Sequence, residues 1–480
     1  MKIKTKGVLT NILWSFIQRG GSLIISFVAN MVLARLLSPD DFGCIGLILV
    51  FVSFADVLVD GGLGNALIQK TNLDNKDTST VFTTNFAISL FLFIIVFFAA
   101  PFIENYFQVN HLALYLRVES IAILIRAFYV VQHSMLAKNL RFKSIATVGI
   151  TSSIISATVG IVMAANGFGV WSLIGKNLTQ HFATSVLYRI NSHIPFRFGF
   201  DKKAFTQLFG FGWFVALTSF MDLLYSNLVS FIVGKRYSVK DLGYYNQANS
   251  LQQIPTYSLS MVINQVLFPY MARIHEDKAL VKAYARRVTV VSTFVIFPLM
   301  IYMICFARPI IVLLYSSKWL MSAIYFQILC VEGIFHSMLH INRCILKSIG
   351  ETKVLFNIQL IVLVIGIVML LIAKQFDIKI LVCSLVINTV INWLILAIIA
   401  GNKIGYSLIL QIKDVLPSFF ICGFAISCSW LLIKVFEVGT ILSLLISAFS
   451  FIAFYFGLHF LFKTKAFKMS YNVCFPNSKN

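Results

Sequence analysis

Charged side chains interrupt several of the long apolar runs in this sequence. Asp56 and Asp60 lie one helical turn apart in one run, and Arg19, Arg126 and Lys176 lie within three others. A charge inside hydrocarbon is costly, so an ionisable residue in such a run is a functional candidate by default. We expect these five residues to line one side of a central cavity, where the three cations attract an anionic group. The alternative is that an aspartate pairs with one of the cations and fixes helix packing.

A second group of ionisable residues lies in the other half of the chain. Glu332, His336 and His340 follow one another at four-residue spacing on one helix face, and Asp222 lies in an earlier run. Histidine titrates near physiological pH, and burial can shift a glutamate toward the same range. This face is therefore a candidate for carrying protons. Two alternatives remain: the histidines hydrogen-bond within a packed bundle, or they bind zinc, although nothing else marks a metal site.

The composition places these residues in a membrane protein. Of the 480 residues, 59% are hydrophobic and only 12% are charged, with a mean hydropathy of +0.87. Soluble domains are closer to one quarter charged, and about 20 apolar residues suffice for one membrane span. The first apolar run continues past Gln18 and Arg19, so we expect a retained span and no cleaved signal peptide.

The distribution of charge predicts the orientation of the chain in the membrane. The net charge of +21 comes from lysines and arginines clustered in short segments at the ends of apolar runs, which argues against nucleic-acid binding. With the N-terminus inside, 26 of these residues fall on the cytoplasmic side and 10 on the other. The eight cysteines are dispersed without CxxC pairs and are typical of small buried hydrophobes. We therefore expect an all-α integral membrane protein with both termini in the cytoplasm. Its fourteen predicted helices cover residues 9–36, 42–67, 79–103, 112–137, 144–165, 168–190, 207–234, 244–272, 284–314, 319–347, 352–374, 378–400, 412–434 and 438–462.

An internal repeat divides the predicted helices. Ser38, Asp41 and Gly43 in "SPDDFG" recur 200 residues later as the Ser, Asp and Gly of "SVKDLG", at 238, 241 and 243. A serine followed three residues later by an acid is typical of a helix N-terminus, so two unrelated caps are the alternative. Each stretch follows the first helix of a six-helix set, which predicts two parallel six-helix lobes. The expected divisions are residues 1–200, residues 201–403, and residues 404–480 with two extra helices and a cytoplasmic tail.

Four segments resemble one family of membrane transporters. Residues 33–70, "LARLLSPDDFGCIGLILVFVSFADVLVDGGLGNALIQK", look like the second-helix region of polysaccharide flippases. "LAKNLRFKSIA" (136–146), "NQVLFPYMARIHEDKA" (264–279) and "LLYSSKWLMSAIYFQIL" (313–329) resemble later regions of the same proteins, in the same order. These flippases belong to the multidrug, oligosaccharidyl-lipid and polysaccharide exporter superfamily. The greatest likeness is to the branch associated with colanic acid, lipopolysaccharide and other exopolysaccharides.

The resemblance implies a function. Such a protein moves an undecaprenyl-diphosphate-linked oligosaccharide from the cytoplasmic to the periplasmic leaflet of a bacterial inner membrane, during surface polysaccharide biosynthesis. It works by alternating access, and the superfamily resemblance suggests coupling to a proton or sodium gradient. The lipid diphosphate would then be the anion that Arg19, Arg126 and Lys176 attract, because a guanidinium can donate two hydrogen bonds to a phosphate.

Neutral polar residues offer a candidate surface for the glycan. The segment "YYNQANSLQQIP" (244–255) places aromatic rings and amides in the outer half of one predicted helix. So many amides in a span rarely face lipid, but hydrogen bonds between helices explain them as well as glycan contact does. The glycan-contact candidates are Tyr245, Asn246, Gln247 and Gln252.

Two other functions compete with this interpretation. A multidrug exporter or a peptidoglycan-precursor flippase would have the same architecture, although cations in the first half favour an anionic substrate. A membrane enzyme such as a polymerase or ligase would need a substantial periplasmic loop with reactive groups. The longest outer connection is about ten residues by the predicted boundaries, so we expect a transporter with no cofactor and no metal.

Overall fold

The computed structural model describes residues 5–60, 62–70, 73–192, 198–263, 267–436 and 440–474. Within those ranges, the structure describes the backbone but not the side chains of residues 5–12, 60, 210–219, 222, 261–262, 269, 433–436, 440–441 and 471–474. The described chain is α-helical, with one short 3₁₀ turn and no strand.

The chain folds into two compact units, Met1–Asn246 and Gln247–Asn480. The first unit contains α1 (Thr5–Leu36), α2 (Pro39–Asp60), α3 (Leu63–Gln69), α4 (Asn75–Phe107), α5 (Leu112–Glu119), α6 (Ile121–Lys138), α7 (Phe142–Ala165), α8 (Val170–Ser192), α9 (Lys202–Arg236) and the start of α10 (Val239–Val262). The second unit contains the rest of α10, then α11 (Phe268–Arg273), α12 (Lys278–Cys305), α13 (Ala307–Tyr315), α14 (Ser322–Ser348), α15 (Thr352–Ala373), α16 (Ile378–Ile404), α17 (Leu408–Phe436), α18 (Thr440–Leu461) and α19 (Lys465–Cys474).

Helices occupy all fourteen predicted positions, but three of the predicted helices are divided within the described residues. Gly62 separates α2 from α3 with a φ of +69°, a left-handed conformation that glycine adopts without strain. Ser120 separates α5 from α6, and Phe306 separates α12 from α13. Residues 264–266, between α10 and α11, are outside the described residues. Within the described residues, ten helical segments are long and apolar enough to cross a membrane. The all-α membrane fold is confirmed, whereas the number of fourteen spans stays a prediction.

The two repeated stretches form the same helix cap. In each, the serine hydroxyl lies 2.7 Å from a carboxylate oxygen of the aspartate three residues later. The Ser38 hydroxyl also accepts a hydrogen bond from the Asp41 backbone N–H at 3.3 Å, and the Ser238 hydroxyl accepts one from Asp241 at 3.0 Å. The caps therefore begin α2 and α10 in the way the sequence predicts.

The repeated stretches also pack against each other within the first unit. A Cβ atom on Gly43 would overlap the carbonyl oxygen of Val239, and a Cβ atom on Gly243 would overlap the carbonyl oxygen of Pro39. Each glycine thus lies against the first residue of the other helix, a reciprocal contact with approximate two-fold character. The contact requires the absence of a side chain at both positions. The lobe divisions at 1–200, 201–403 and 404–480 stay a prediction.

We expect Gly43→Ala, and equally Gly243→Ala, to destabilise the protein by about 1–3 kcal/mol, the usual cost of overpacking. The reason is that the added methyl group must push a backbone carbonyl away. Gly457→Ala in α18 is the matched control, because nothing lies within 4 Å of a Cβ there and alanine favours a helix by up to about 1 kcal/mol over glycine. Thermal unfolding in detergent measures the difference. Equal midpoints for Gly43→Ala and Gly457→Ala would contradict the required close contact.

Candidate functional site

An ion pair between two of the predicted cavity residues joins α2 and α6. Arg126 Nη1 lies 2.9 Å from Asp56 Oδ2, and the two side chains are 28% and 19% exposed. The pairing foreseen as the alternative for these residues therefore occurs. Both side chains remain partly accessible, so the pair can hold the helices together and still be reached by a ligand. The Asp60 side chain is outside the described residues.

A buried carboxyl group lies near this ion pair. Glu119 ends α5, which packs against α2 and α8, and its side chain is 1% exposed. The Asn177 side chain of α8 and the Asp56 carboxylate of α2 both lie near the Glu119 carboxyl group. The carboxyl oxygen Oε2 of Glu119 is buried without a hydrogen-bond partner. Three helices therefore place a second acidic group beside Asp56.

Lys176 supplies a second cation, from α8. It is partly buried, and its Cβ atom packs against Gly160 of α7. In the part of the chain that the structure describes, the Lys176 ammonium group forms no hydrogen bond and no ion pair. An ammonium group that is partly buried without an anion is able to receive an anionic ligand. Asp56, Glu119 and Arg126 are called the first-unit charge cluster below; in the described chain no contact joins Lys176 to these three residues.

Arg19 is separate from this cluster in the structure. Its side chain is exposed on α1, and it has no ion pair among the described residues. The helix packs on α7 through its neighbours, with Gln18 against Gly149 and Gly21 against Ile150. A role for Arg19 in the cavity stays a prediction.

Two tyrosine–histidine pairs connect α6 and α8. The Tyr129 hydroxyl lies 3.0 Å from His181 Nδ1, and the Tyr188 hydroxyl lies 2.9 Å from His133 Nδ1. The two tyrosine rings stack with centroids 6.1 Å apart. The two pairs give α6 and α8 a polar contact in an otherwise apolar environment, next to the charge cluster.

Sequence reasoning missed these pairs and Glu119. Tyr129 and His133 are four residues apart on α6, so their spacing already places them on one helix face. Their partners His181 and Tyr188 are seven residues apart, nearly two helical turns, and no sequence signal links them to α6. Glu119 lies near the outer end of a predicted helix, where a carboxyl group is easily taken for a solvated residue.

The predicted proton-carrying face lies between α14 and α16 in the second unit. The Thr389 hydroxyl donates a hydrogen bond of 3.1 Å to Glu332 Oε1. The rings of His336 and His340 lie edge to face with centroids 4.6 Å apart, and His336 Nδ1 is buried without a hydrogen-bond partner. The structure thus keeps these three residues of α14 on one face. The Asp222 side chain is outside the described residues.

Two unsatisfied polar atoms of α16 add to this polar face. Asn392 Oδ1 and Trp393 Nε1 are both buried without a hydrogen-bond partner. Over the residues that the structure describes, no three His, Cys, Asp or Glu side chains come together as a metal site. The region is thus a buried polar contact of two helices with one carboxyl group.

The glycan-contact candidates of α10 lie mostly in packed positions. Tyr245, Gln247 and Gln252 are 5%, 1% and 4% exposed. Gln252 Nε2 lies against Gly333 of α14, and Asn246 Nδ2 lies against Gly46 of α2. Close packing favours the helix-contact interpretation in this conformation, and a glycan contact by these residues stays a prediction.

Comparison with known proteins identifies related sequences. Residues 32–324 match the model of a family described as polysaccharide biosynthesis protein. The succinoglycan biosynthesis transport protein ExoT of Rhizobium meliloti (strain 1021) is 25% identical over 361 residues, which are 74% of this chain and 72% of ExoT. The teichuronic acid biosynthesis protein TuaB of Bacillus subtilis (strain 168) is 24% identical over 356 residues, 73% of each protein.

The fold has a counterpart among solved structures. The structure of the lipid II flippase MurJ in an inward closed conformation superposes with a TM-score of 0.73 and 18% sequence identity. The superposition covers 94% of this chain and all of the MurJ chain. At this identity the likeness establishes a shared helical membrane fold and leaves the substrate open.

Proposed function

Because this chain belongs to the polysaccharide biosynthesis protein family, we propose that it is a flippase for a lipid-linked oligosaccharide. Its substrate is an undecaprenyl-diphosphate-linked repeat unit of a surface polysaccharide. The protein moves this unit from the cytoplasmic to the periplasmic leaflet of a bacterial inner membrane by alternating access. Both of its termini lie in the cytoplasm.

The family match is the observation that carries this proposal. It covers residues 32–324, and so includes the whole first-unit charge cluster and the repeated caps of α2 and α10. Relatives that match about three quarters of the chain are named for the biosynthesis or transport of polysaccharides and teichuronic acid. The glycans in these names, succinoglycan and teichuronic acid, are chemically different. The proposal therefore specifies the lipid-linked class of the substrate and not its sugar.

Lys176 and Arg126 provide the chemistry that the diphosphate needs. The unpaired ammonium group of Lys176 can bind one phosphate without losing an existing contact. Arg126 can turn part of its guanidinium group from Asp56 to the substrate, because its planar fork carries five N–H donors. Hydrogen bonds to charged groups contribute about 1.5–3 kcal/mol each, enough for reversible binding. We propose that Arg19 joins these cations when the cavity is open.

The same architecture serves other transporters, and Lys176 and Arg126 help to separate them. A multidrug exporter of cationic compounds would gain nothing from two cations in its cavity. A peptidoglycan-precursor flippase also carries a lipid diphosphate, so charge does not distinguish it, and the fold likeness to MurJ is compatible with either substrate. The polysaccharide names of the sequence relatives favour the surface-polysaccharide substrate.

Deletion of the gene tests the function directly. We expect the surface polysaccharide to be lost and an undecaprenyl-diphosphate-linked oligosaccharide to accumulate in the cytoplasmic leaflet, because synthesis continues while export stops. Mass spectrometry of extracted lipids, with a leaflet-selective sugar label, identifies the lipid and its location. Normal surface polysaccharide with no accumulated intermediate would refute the flippase assignment. Accumulation of a peptidoglycan precursor would favour the alternative.

A substitution of Lys176 separates function from stability. We expect Lys176→Met to lower export by about 10–100-fold, the loss of one charge-assisted hydrogen bond, while thermal stability is kept or raised. The reason is that methionine replaces an unpaired cation with an apolar chain of similar length. Complementation of the deletion strain measures export, and unfolding in detergent measures stability.

Asp56→Asn is the matched control for Lys176→Met. This substitution leaves Arg126 without the carboxylate that it pairs with. Breaking a fully buried pair costs roughly 3–5 kcal/mol of unfolding free energy, and the partial exposure of both side chains makes the expected loss smaller. A Lys176→Met variant that exports normally would remove this lysine from the substrate site.

We propose that the polar face between α14 and α16 couples transport to an ion gradient. The Glu332 carboxyl group is held by a single hydroxyl donor, Thr389, so it can gain or lose a cation, either a proton or sodium, with little rearrangement. His336 and His340 adjoin it on the same helix face, and Asp222 is a further candidate on α9. The α10 residues Tyr245, Asn246, Gln247 and Gln252 are proposed to meet the glycan in a more open conformation.

We expect Glu332→Gln to abolish the dependence of export on the ion gradient, because glutamine keeps the hydrogen bond to Thr389 but cannot exchange a charge. Export is measured in the deletion strain with and without an uncoupler. Glu351→Gln is the control: Glu351 pairs with Lys403 at 2.6 Å in a partly exposed position, and exposed pairs contribute at most about 1 kcal/mol. Equal responses of both variants to the uncoupler would exclude Glu332 from coupling.

A further inference from the structure

We propose that Glu119 is a proton-binding site that sets the net charge of the first-unit charge cluster, and so its affinity for a diphosphate. The inference rests on the proposed function for the identity of the anion. The proton site itself rests on the structure alone, from the position of one carboxyl group and the groups around it.

Glu119 differs from two other buried acids of the described chain. The carboxylate of Asp77, which is 3% exposed, pairs with Lys70 at 2.8 Å. The Asp414 carboxylate, which is 6% exposed, receives two hydrogen bonds of 2.6 Å from Arg286. The fold thus supplies a cation to each of these carboxylates, and it supplies none to Glu119.

The hydrogen bonds of Glu119 suit a neutral acid. An ionised carboxylate can accept about four hydrogen bonds, yet Glu119 is 1% exposed and the nearby polar side chain is the neutral amide of Asn177. Its Oε2 atom is buried without any partner. An isolated buried carboxylate is strongly disfavoured relative to the protonated acid. The geometry therefore favours a bound proton in this conformation.

The charges around Glu119 come from each helix that packs near it. Asp56 of α2 repels a negative charge at Glu119, and Arg126 of α6 is already engaged by Asp56 at 2.9 Å. On α8, His181 is hydrogen-bonded to Tyr129, and Lys176 packs against Gly160 of α7. On α5 itself, Arg117 is directed to α4, where it bonds the Phe97 carbonyl at 3.1 Å. No other charge of α5 or its neighbours compensates Glu119 within the described chain.

Protonation of Glu119 changes the charge that a ligand meets. With Glu119 neutral, the ionised pair of Asp56 and Arg126 gives the cluster a net charge of zero. With Glu119 ionised, the cluster has a net charge of −1 and a second anion competes for Arg126. An anion and a proton therefore bind together, and each raises the affinity for the other by the same factor.

This linkage between proton binding and diphosphate binding gives the two units different roles in transport. A proton that binds together with the diphosphate leaves the cytoplasmic side with the substrate, so it opposes an inward proton gradient. Glu119 therefore adjusts the charge of the loaded site, and the driving ion must act at another group, for which Glu332 is the candidate proposed above.

Infrared difference spectroscopy tests the proton site without any substrate. The full-length protein in lipid vesicles is compared across pH, and we expect a protonated-carboxyl band that is absent in Glu119→Gln. Glutamine is nearly isosteric and can keep the Asn177 contact, so the variant should fold. Glu104→Gln is the control, because the Glu104 carboxylate already accepts a hydrogen bond of 2.7 Å from the Ala113 backbone. The spectrum of the Glu104→Gln variant should therefore keep the protonated-carboxyl band of the wild type. A band unchanged in Glu119→Gln would overturn the proposal.

Binding of inorganic diphosphate tests the consequence for the ligand. We expect the wild type to bind it about tenfold more weakly for each pH unit above the titration of Glu119, the effect of one linked proton. Glu119→Gln should keep the tight affinity throughout, and because the probe itself titrates, the two proteins are compared at each pH. Equal pH dependence in both proteins would overturn the linkage. Loss of the infrared band in Glu119→Gln without diphosphate binding by either protein would uphold the proton site and contradict the lipid-diphosphate substrate.

Discussion

The cost of an ionised group in apolar surroundings governs the arrangement of this protein. Most of its described buried acids have a cation close by, as Asp77 has Lys70 and Asp414 has Arg286. An ion pair offsets part of the desolvation free energy of burying a charge, but seldom all of it. Within the described chain, Glu119, Glu332 and Lys176 are left without a partner of opposite charge and are therefore the more informative groups. Of these, Glu119 lies near the Asp56–Arg126 pair, where a proton can complete the balance of charge.

The two units meet this constraint differently. The first unit places charges of both signs together, with Glu119 near the ion pair of Asp56 and Arg126. The second unit holds Glu332 through the neutral hydroxyl of Thr389 and buries amides against one another, as in the 3.2 Å hydrogen bond from Asn342 to Gln411. A carboxyl group among neutral partners can exchange a small cation without attracting a large anion. This difference supports the proposal of separate sites for the substrate and the ion.

The sequence predicted the helices better than their contacts. Each span needs a long apolar run, so helix positions follow from composition, and all fourteen predicted positions are helical. The internal breaks at Gly62 and Ser120 escaped prediction, because the runs continue across them. Which side chains meet depends on the rotation of each helix about its axis, which hydropathy does not encode. The ion pair of Asp56 and Arg126 was accordingly only one of two alternatives, and the environment of Glu119 was not foreseen.

The contact between the two repeated stretches was also not predicted, although a comparison of the two stretches with each other could have predicted it. Matching caps at 38–43 and 238–243 indicated equivalent positions in two halves, and the structure brings those positions into contact through Gly43 and Gly243. Two equivalent elements that meet near a two-fold axis must present the same residues to each other, so a shared glycine at the crossing is a geometric requirement. A capping motif alone needs only the serine and the aspartate. The recurrence of the glycine in both stretches was therefore the part of the motif that carried information about tertiary structure.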